Sequence, residues 1–293
     1  MIANLTVPQS CRVVGILNVT PASFSDGGRF LAVQAAVDHG LAMAAAGAEL
    51  VDVGGESTRP GANRVDPDDE RCRVLPVVRE LARAGVPVSI DTTRSAVAAA
   101  AVDAGATAVN DVSGGLGDPN MARAVADLGV RWVITHWRRP SRQMYSAARY
   151  DNVVRDVRDE LLLRVDAAVA AGVRTDDLIL DPGFGFSKGV GHDLQLMAGL
   201  VAITDLGFPV LVGASRKRFL GAVLADHDGA PRPSHGRESA TVATTVLAAQ
   251  QGAWGVRVHD VAASVDALRV LNAVELQPMS ANAAPRSVLP DHA

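Results

Sequence analysis

Aromatic residues are scarce, at 4% of 293 positions, and there are two cysteines. With so few rings, Ala, Val and Leu must fill the core, and a 48% apolar content makes that core sizeable. Small side chains suit stacked helix–strand units better than an all-β sandwich, which wants aromatic and β-branched residues. Cys11 and Cys72 form neither a CxxC pair nor a metal-type spacing, so free thiols in a reducing cytoplasm are the plain reading. A basic surplus is also missing. The formal net charge is −4 with Lys and Arg spread along the chain, which argues against a nucleic-acid partner. Met1 to Ser10 lacks a basic residue followed by an apolar run, so no signal peptide is expected. Apolar stretches are broken by Asp, Glu, Arg or Gly well before membrane-spanning length, so no membrane partner is expected either.

What is present is a rhythm. A helical segment ends in Gly, and a short apolar strand follows that closes in polar residues. It reads Gly47-Ala-Glu-Leu-Val-Asp-Val-Gly-Gly, Gly85-Val-Pro-Val-Ser-Ile-Asp, Gly105-Ala-Thr-Ala-Val-Asn-Asp and Gly129-Val-Arg-Trp-Val-Ile-Thr-His. It returns at Gly172 with Leu178-Ile-Leu-Asp-Pro-Gly, at Gly207-Phe-Pro-Val-Leu-Val-Gly and at Gly252-Ala-Trp-Gly-Val-Arg-Val-His-Asp. Gly past a helix end takes the left-handed conformation that stops the helix. With Val13-Val-Gly-Ile-Leu-Asn18 as a first strand, the rhythm gives eight strands.

The intervening segments carry helical signals. Val154, Val157, Leu161, Val165 and Val169 share one face between Asp151 and Ala171. Asp66-Pro67-Asp68-Asp69 reads as an N-cap with Pro at the first helical position, and Asp118-Pro119 as another start. Val261 to Val274 is the last helix. Eight parallel strands with helical crossovers close most economically into a single-domain (β/α)₈ TIM barrel over residues 13–274. An open doubly wound sheet is the alternative. Residues 1–12 form a lead-in. Residues 275–293, with two prolines and no periodicity, read as a disordered tail.

Barrel enzymes carry their chemistry at the C-terminal ends of the strands. Those ends are Asn18, Glu56, Asp91, Asn110-Asp111, His136, Asp181, Ser215-Arg216-Lys217 and Arg257-Val-His259-Asp260. A single Asp after a strand is commonly a turn residue. Nearly every strand ending this way points instead to a ligand, because buried charges need partners. Asp91, Asn110 and Asp181 offer acceptors and an amide; Lys217, Arg257 and His259 offer donors. Asn18 offers a hard oxygen suited to Mg²⁺. A flat ring with N–H donors on one edge and a phosphate on the other side satisfies both groups. Two Gly- and Pro-bearing loops, residues 18–28 and 54–61, have the composition of lids. Asp181-Pro-Gly-Phe-Gly-Phe-Ser-Lys188 lacks the GxxxxGK[ST] spacing of a nucleotide loop. Gly114-Gly-Leu-Gly117 is too weak for a dinucleotide fingerprint.

Taken together, these segments resemble the dihydropteroate synthase family. The resemblance rests on Gly15-Ile-Leu-Asn-Val-Thr-Pro, Ser23-Phe-Ser-Asp-Gly-Gly, Asp52-Val-Gly-Gly-Glu-Ser-Thr-Arg-Pro-Gly, Ser89-Ile-Asp-Thr, Val109-Asn-Asp-Val, Leu180-Asp-Pro-Gly-Phe-Gly-Phe, Gly213-Ala-Ser-Arg-Lys and Arg257-Val-His-Asp. It implies joining of 6-hydroxymethyl-7,8-dihydropterin diphosphate to 4-aminobenzoate, with pyrophosphate released, Mg²⁺ required and a cytoplasmic homodimer. It also implies competition by sulfonamides.

The resemblance assigns Asp91, Asn110, Asp181 and Lys217 to the pterin. Arg257, His259 and Asn18 go to the diphosphate and Mg²⁺. Thr58 and Arg59 are carried over as substrate contacts. Asp26 stands where a carboxylate would stabilise a pterin cation or orient the arylamine. Phe24 and Pro60 would wall the arylamine, and Arg218, with the start of the helix that follows Lys217, would meet its carboxylate. Asp26, Lys217, Arg257 and His259 form the expected catalytic set. Ala22, Thr135 and Arg218 depart from the commoner family pattern, at Asp, Met and Ser respectively. The alternatives are a catalytically weakened pterin-binding paralogue and a pterin-dependent methyltransferase domain. A metal-dependent barrel hydrolase would want His-x-His where Asn18-Val-Thr20 stands.

Overall fold

The computed structural model describes residues 11–20, 29–57, 64–139 and 148–277. Strands and helices alternate. They run β1 (Arg12–Asn18), α1 (Arg29–Ala45), β2 (Leu50–Gly54), α2 (Pro67–Arg83), β3 (Val88–Asp91), α3 (Ser95–Asp103), β4 (Ala108–Asp111), α4 (Met121–Leu128) and β5 (Arg131–Thr135). Then come α5 (Val153–Ala170), β6 (Leu178–Asp181), α6 (Val190–Ala198), α7 (Val201–Thr204), β7 (Leu211–Val212), α8 (Arg218–Val223), α9 (Glu238–Gln250), β8 (Gly255–Val258) and α10 (Val261–Glu275). The eight strands are ordered β6-β5-β4-β3-β2-β1-β8-β7, and every paired neighbour is parallel. A parallel bridge from Leu180 to Val210, with Leu180 N donating to Pro209 O at 2.9 Å, brings β6 to the foot of β7. The sheet therefore curls into the expected (β/α)₈ barrel.

The helix–glycine–strand rhythm is real. Gly47, Gly85, Gly105, Gly129, Gly172, Gly207 and Gly252 all have φ between 63° and 113°. Asp66 caps α2 by accepting from Asp68 N at 2.9 Å, with Pro67 behind it. Two helix starts fall later than expected. Asn152, not Asp151, accepts from Arg155 N and sets α5 at Val153. The Asp118 carboxylate turns to Ser95 N and Asn120 N, at 2.8 and 2.9 Å, and α4 begins at Met121.

Two apolar cores flank the strands. The larger lies between strands and helices and takes Val13, Val51, Val53, Val88, Ile90, Val109, Ile134 and Leu180. The smaller fills the lower barrel interior with Val14, Val133, Ile179 and Leu211. Side chains alternate along a strand, so the residues two and four positions after these also face inward. Those positions hold Asn18, Thr135, Asp181 and Gly213. On β2, β3, β4 and β8 the inward positions are Asp52, Ser89 with Asp91, Asn110, and Arg257. The barrel is apolar below and polar above, at the end where the strands finish.

Candidate functional site

Parallel register brings the polar layer together. Asp52 lies opposite Ile16 and Ser89, Gly54 opposite Asp91, and Asp91 opposite Asn110. On the far side Thr135 lies opposite Asp181. Asp91, Asn110 and Asp181 are buried, while Lys217 and Arg257 are partly buried.

Asp52 is the hub. Its Oδ1 accepts from Ser89 Oγ at 2.5 Å, and its Oδ2 accepts from Asn110 Nδ2 at 2.8 Å and Arg257 Nε at 2.5 Å. Arg257 Nη2 donates to Asp91 Oδ2 at 2.6 Å. A carboxylate only accepts, so the Asn110 amide must turn its NH₂ toward Asp52, which orients the Asn110 oxygen. The bonds to Asp52 and Asp91 use Nε and Nη2 of Arg257, leaving the two N–H groups of Nη1 to other partners. Burial would pull Arg257 down, but Asp52 and Asp91 more than reverse this and hold its charge. Asp91 is pushed up to about 7, by burial first and by neighbouring carboxylates against the opposing Arg257. Two carboxylates share one guanidinium, and burial moves Asp91 toward its protonated form.

On the opposite wall, Asp181 Oδ1 accepts from Gly183 N at 2.7 Å. Burial raises the Asp181 pKa, opposed by that bond and by Lys217 and Arg257. Lys217 Nζ sits 3.9 Å from the centroid of the Phe186 ring. Burial draws its ammonium down to about 8, while Asp181 pulls the other way. Lys217 and Arg257 favour the Asp181 carboxylate, and Asp181 and Asp91 favour the Lys217 ammonium. His259 comes from the end of β8, where Ser215 Oγ meets its Nδ1 at 2.9 Å and also accepts from its backbone N at 3.2 Å. Asn18 ends β1 half-buried, and Arg218 is exposed at the start of α8.

Other strand ends serve the scaffold. Glu56 accepts from Arg94 and Val65 N, both at 2.9 Å, and Arg94 also binds Glu70 and Val65 O. Asp111 accepts from Ser113 N and Gly115 N at 2.9 and 2.7 Å and closes a turn. His136 bonds Glu160 and Lys188. The Thr135 hydroxyl is buried with no partner among the described residues. Phe24, Asp26, Thr58, Arg59 and Pro60 lie outside the described residues, as does Ala22.

Sequence reasoning passed over Asp52, Ser89 and Lys188, whose side chains bond within or beside this polar layer. Asp52 carried a signal: a carboxylate in the middle of the apolar strand Leu50-Val-Asp-Val, on the same face as Gly54.

A parallel barrel with such a polar mouth defines an enzyme of the TIM-barrel class that binds its ligands at the strand ends. The profile described as "Pterin binding enzyme" matches residues 14–259. A dihydropteroate synthase of Mycobacterium leprae (strain TN) is 59% identical over 263 residues, covering 89% of this chain and 93% of the relative. The dihydropteroate synthase of Xanthomonas albilineans with 4-aminobenzoic acid superposes with a TM-score of 0.84 at 46% identity, covering 92% and 94% of the two chains. The same enzyme in complex with 7,8-dihydropteroate gives 0.82 at 44%, covering 94% and 97%. The chain belongs to the pterin-binding enzyme family, and within it to the dihydropteroate synthases.

Proposed function

We propose that this transferase joins the methylene of 6-hydroxymethyl-7,8-dihydropterin diphosphate to the amino group of 4-aminobenzoate, giving 7,8-dihydropteroate and pyrophosphate. The observation that carries this reading is the division of the barrel mouth: Asp91, Asn110 and Asp181 on buried walls, with Lys217 and Arg257 between them. The catalytic unit is residues 13–274.

A carboxylate facing two adjacent N–H donors makes a charge-assisted bidentate pair. Asp181 is assigned to the pterin's 2-amino and N3–H groups, with Asp91 and Asn110 completing that edge. Lys217 donates to the same ring. Diphosphate departs first: the C–O bond to the methylene breaks, and the ring nitrogens delocalise the positive charge. Arg257 and His259 stabilise the leaving oxygens. The arylamine nitrogen then forms the C–N bond and loses its extra proton to water. Asp26 is assigned to the cation or to orientation of the amine. Phe24, Thr58, Arg59 and Pro60 are assigned to the lids that enclose it, and Arg218 to the arylamine carboxylate.

Asn18 supplies one amide oxygen, a hard donor that suits Mg²⁺. Among the described residues no group of three or more His, Cys, Asp and Glu could hold a metal ion. This donor set fits an ion held mainly by substrate phosphate oxygens and water, with Asn18 as its protein ligand. When bound, Mg²⁺ would neutralise charge on the departing diphosphate.

A homodimer is part of the proposal. It is supported by the exposed Leu247, Val270 and Val274 on α9 and α10, which pack side by side. Among the described residues no helix is long and apolar enough to cross a membrane, and the proposed compartment is the cytoplasm. Pyrophosphate release from the purified protein tests the reaction. Sustained release should require both substrates and Mg²⁺, and turnover without the arylamine at the same rate would reject transfer.

A further inference from the structure

Lys188 is 2% exposed, and its Nζ meets three acceptors: His136 Nδ1 at 2.9 Å, Gly183 O at 3.0 Å and Phe186 O at 3.1 Å. As an ammonium it has three N–H donors, which the three contacts satisfy without a ligand; burial draws it down to about 7, while Asp193 and Asp181 pull the other way. Each contact leads one step further, to a residue assigned to the pterin. His136 N donates to Asp181 O at 2.8 Å. Gly183 N donates to Asp181 Oδ1 at 2.7 Å. The Phe186 ring carries the Lys217 ammonium.

The turn between these residues is under constraint. Gly183, Gly185 and Ser187 have φ of 71°, 74° and 51°. Ser187 pays the steric cost of a left-handed side chain, which persists only where surrounding bonds over-determine the backbone. A Cβ on Gly183 would stand 2.2 Å from His136 O, so the turn lies hard against the end of β5. Around it, Tyr150 OH donates to Ser187 O at 3.0 Å and Gly185 N donates to Asp193 Oδ1 at 2.8 Å.

The imidazole between Lys188 and Glu160 has one consistent protonation. Glu160 Oε2 lies 3.0 Å from His136 Nε2 and the carboxylate also binds Arg138. An ionised carboxylate only accepts, so the His136 proton sits on Nε2 and Nδ1 accepts from Lys188. Burial and the adjacent ammonium hold His136 neutral, at about 4.

We propose that Lys188 is a positioning residue for pterin recognition: by gripping His136 and the carbonyls of Gly183 and Phe186, it sets Asp181 and Lys217 at the spacing the pterin edge requires. This rests on the assignment of Asp181 and Lys217 to the pterin. Lys188 touches neither substrate, so its effect falls on pterin affinity and spares the arylamine.

The test measures calorimetric binding of 6-hydroxymethylpterin, and the KM of each substrate by pyrophosphate release. The variants are Lys188→Met, of similar length without the charge, and Asp181→Asn as a control. Loss of charge-assisted bonds in Lys188→Met should weaken pterin binding about tenfold or more, while the arylamine KM moves less than about threefold. Pterin binding within about twofold of the parent, with Asp181→Asn still strongly weakened, overturns the role of Lys188 and leaves the pterin assignment standing. Binding unchanged in both variants means instead that the pterin assignment itself has failed. An equal rise in both KM values marks general loosening and also overturns the proposal.

Should Lys188→Met not fold, a pair at His136 decides. His136→Asn keeps an acceptor where Nδ1 stood, and His136→Leu removes it. The Leu variant should bind the pterin about tenfold more weakly than the Asn variant, and equal affinities overturn the proposal.

Discussion

Arg257 donates to Asp52 through Nε at 2.5 Å and to Asp91 through Nη2 at 2.6 Å, so one guanidinium ties β8 to β2 and β3. Asp52 also takes the Asn110 amide, which adds β4. Asp52→Asn keeps the shape and removes the charge. Breaking one partner of a buried ion pair is costly because the other charge stays buried. We expect kcat/KM for the pterin diphosphate to fall on the order of 100-fold, with a smaller loss in thermal midpoint. Steady-state kinetics beside a melting curve checks this. A variant that melts early yet turns over normally would leave Asp52 a purely structural residue.

Asp181 and Arg257 should fail in different ways. Asp181 faces the ring edge in the proposed complex, so Asp181→Ala should abolish pterin binding in calorimetry. Near-normal affinity would refute edge recognition. Arg257 is assigned to charge that grows as the diphosphate leaves, so Arg257→Ala should lower kcat more than it raises KM. An unchanged kcat would remove it from leaving-group stabilisation.

The site should work in a bounded pH window. Asp91, raised to about 7, is protonated below that value and cannot serve as an ionised acceptor there. Lys217, lowered to about 8, keeps its charge below that value and loses it above. Pterin affinity should therefore rise as pH climbs through about 7, less steeply than Asp91 alone would make it because Lys188 loses its charge over the same range, and fall as it passes about 8. A guanidinium stays charged throughout, so Lys217→Arg should flatten the alkaline limb even if it binds more weakly at neutral pH. Asp91→Asn should flatten the acid limb. Calorimetry from pH 6 to about pH 9.5 gives the comparison. An alkaline limb that survives Lys217→Arg belongs to another group.

Much of this was legible in the sequence. The glycine rhythm and strand-end polar residues follow from backbone geometry, which any chain must obey locally. Asp91 and Asp181 accordingly end their strands, with Asn110 in β4, Arg257 in β8 and Lys217 just before α8, and Asp181, Arg257 and Asp91 act on the Lys217 charge. The pairing of Arg257 with Asp52 was not legible, because the two are 205 positions apart and meet only when the barrel curls. Lys188 was hidden for a different reason. The segment 181–188 reads as a failed phosphate loop, and nothing local says that its lysine turns inward onto His136. The start of α4 was misplaced because the Asp118 side chain bonds the first residue of α3, a tertiary choice.

The metal requirement should depend on substrate. Asn18 is neutral, and one amide oxygen gives Mg²⁺ little reason to leave water, since this ion dehydrates reluctantly. Mg²⁺ titrated into the protein alone should bind no more tightly than the millimolar range. With the pterin diphosphate present, phosphate oxygens complete the ligand set, and a tighter site should appear in the same titration. Chelation with EDTA should stop pyrophosphate release, and added Mg²⁺ should restore it. In Asn18→Ala the substrate-dependent gain in Mg²⁺ affinity should shrink, while binding of 6-hydroxymethylpterin, which carries no diphosphate, stays near the parent value. Tight Mg²⁺ binding to the protein alone would point to a metal site built from other residues. Full activity in EDTA would remove the ion from the reaction.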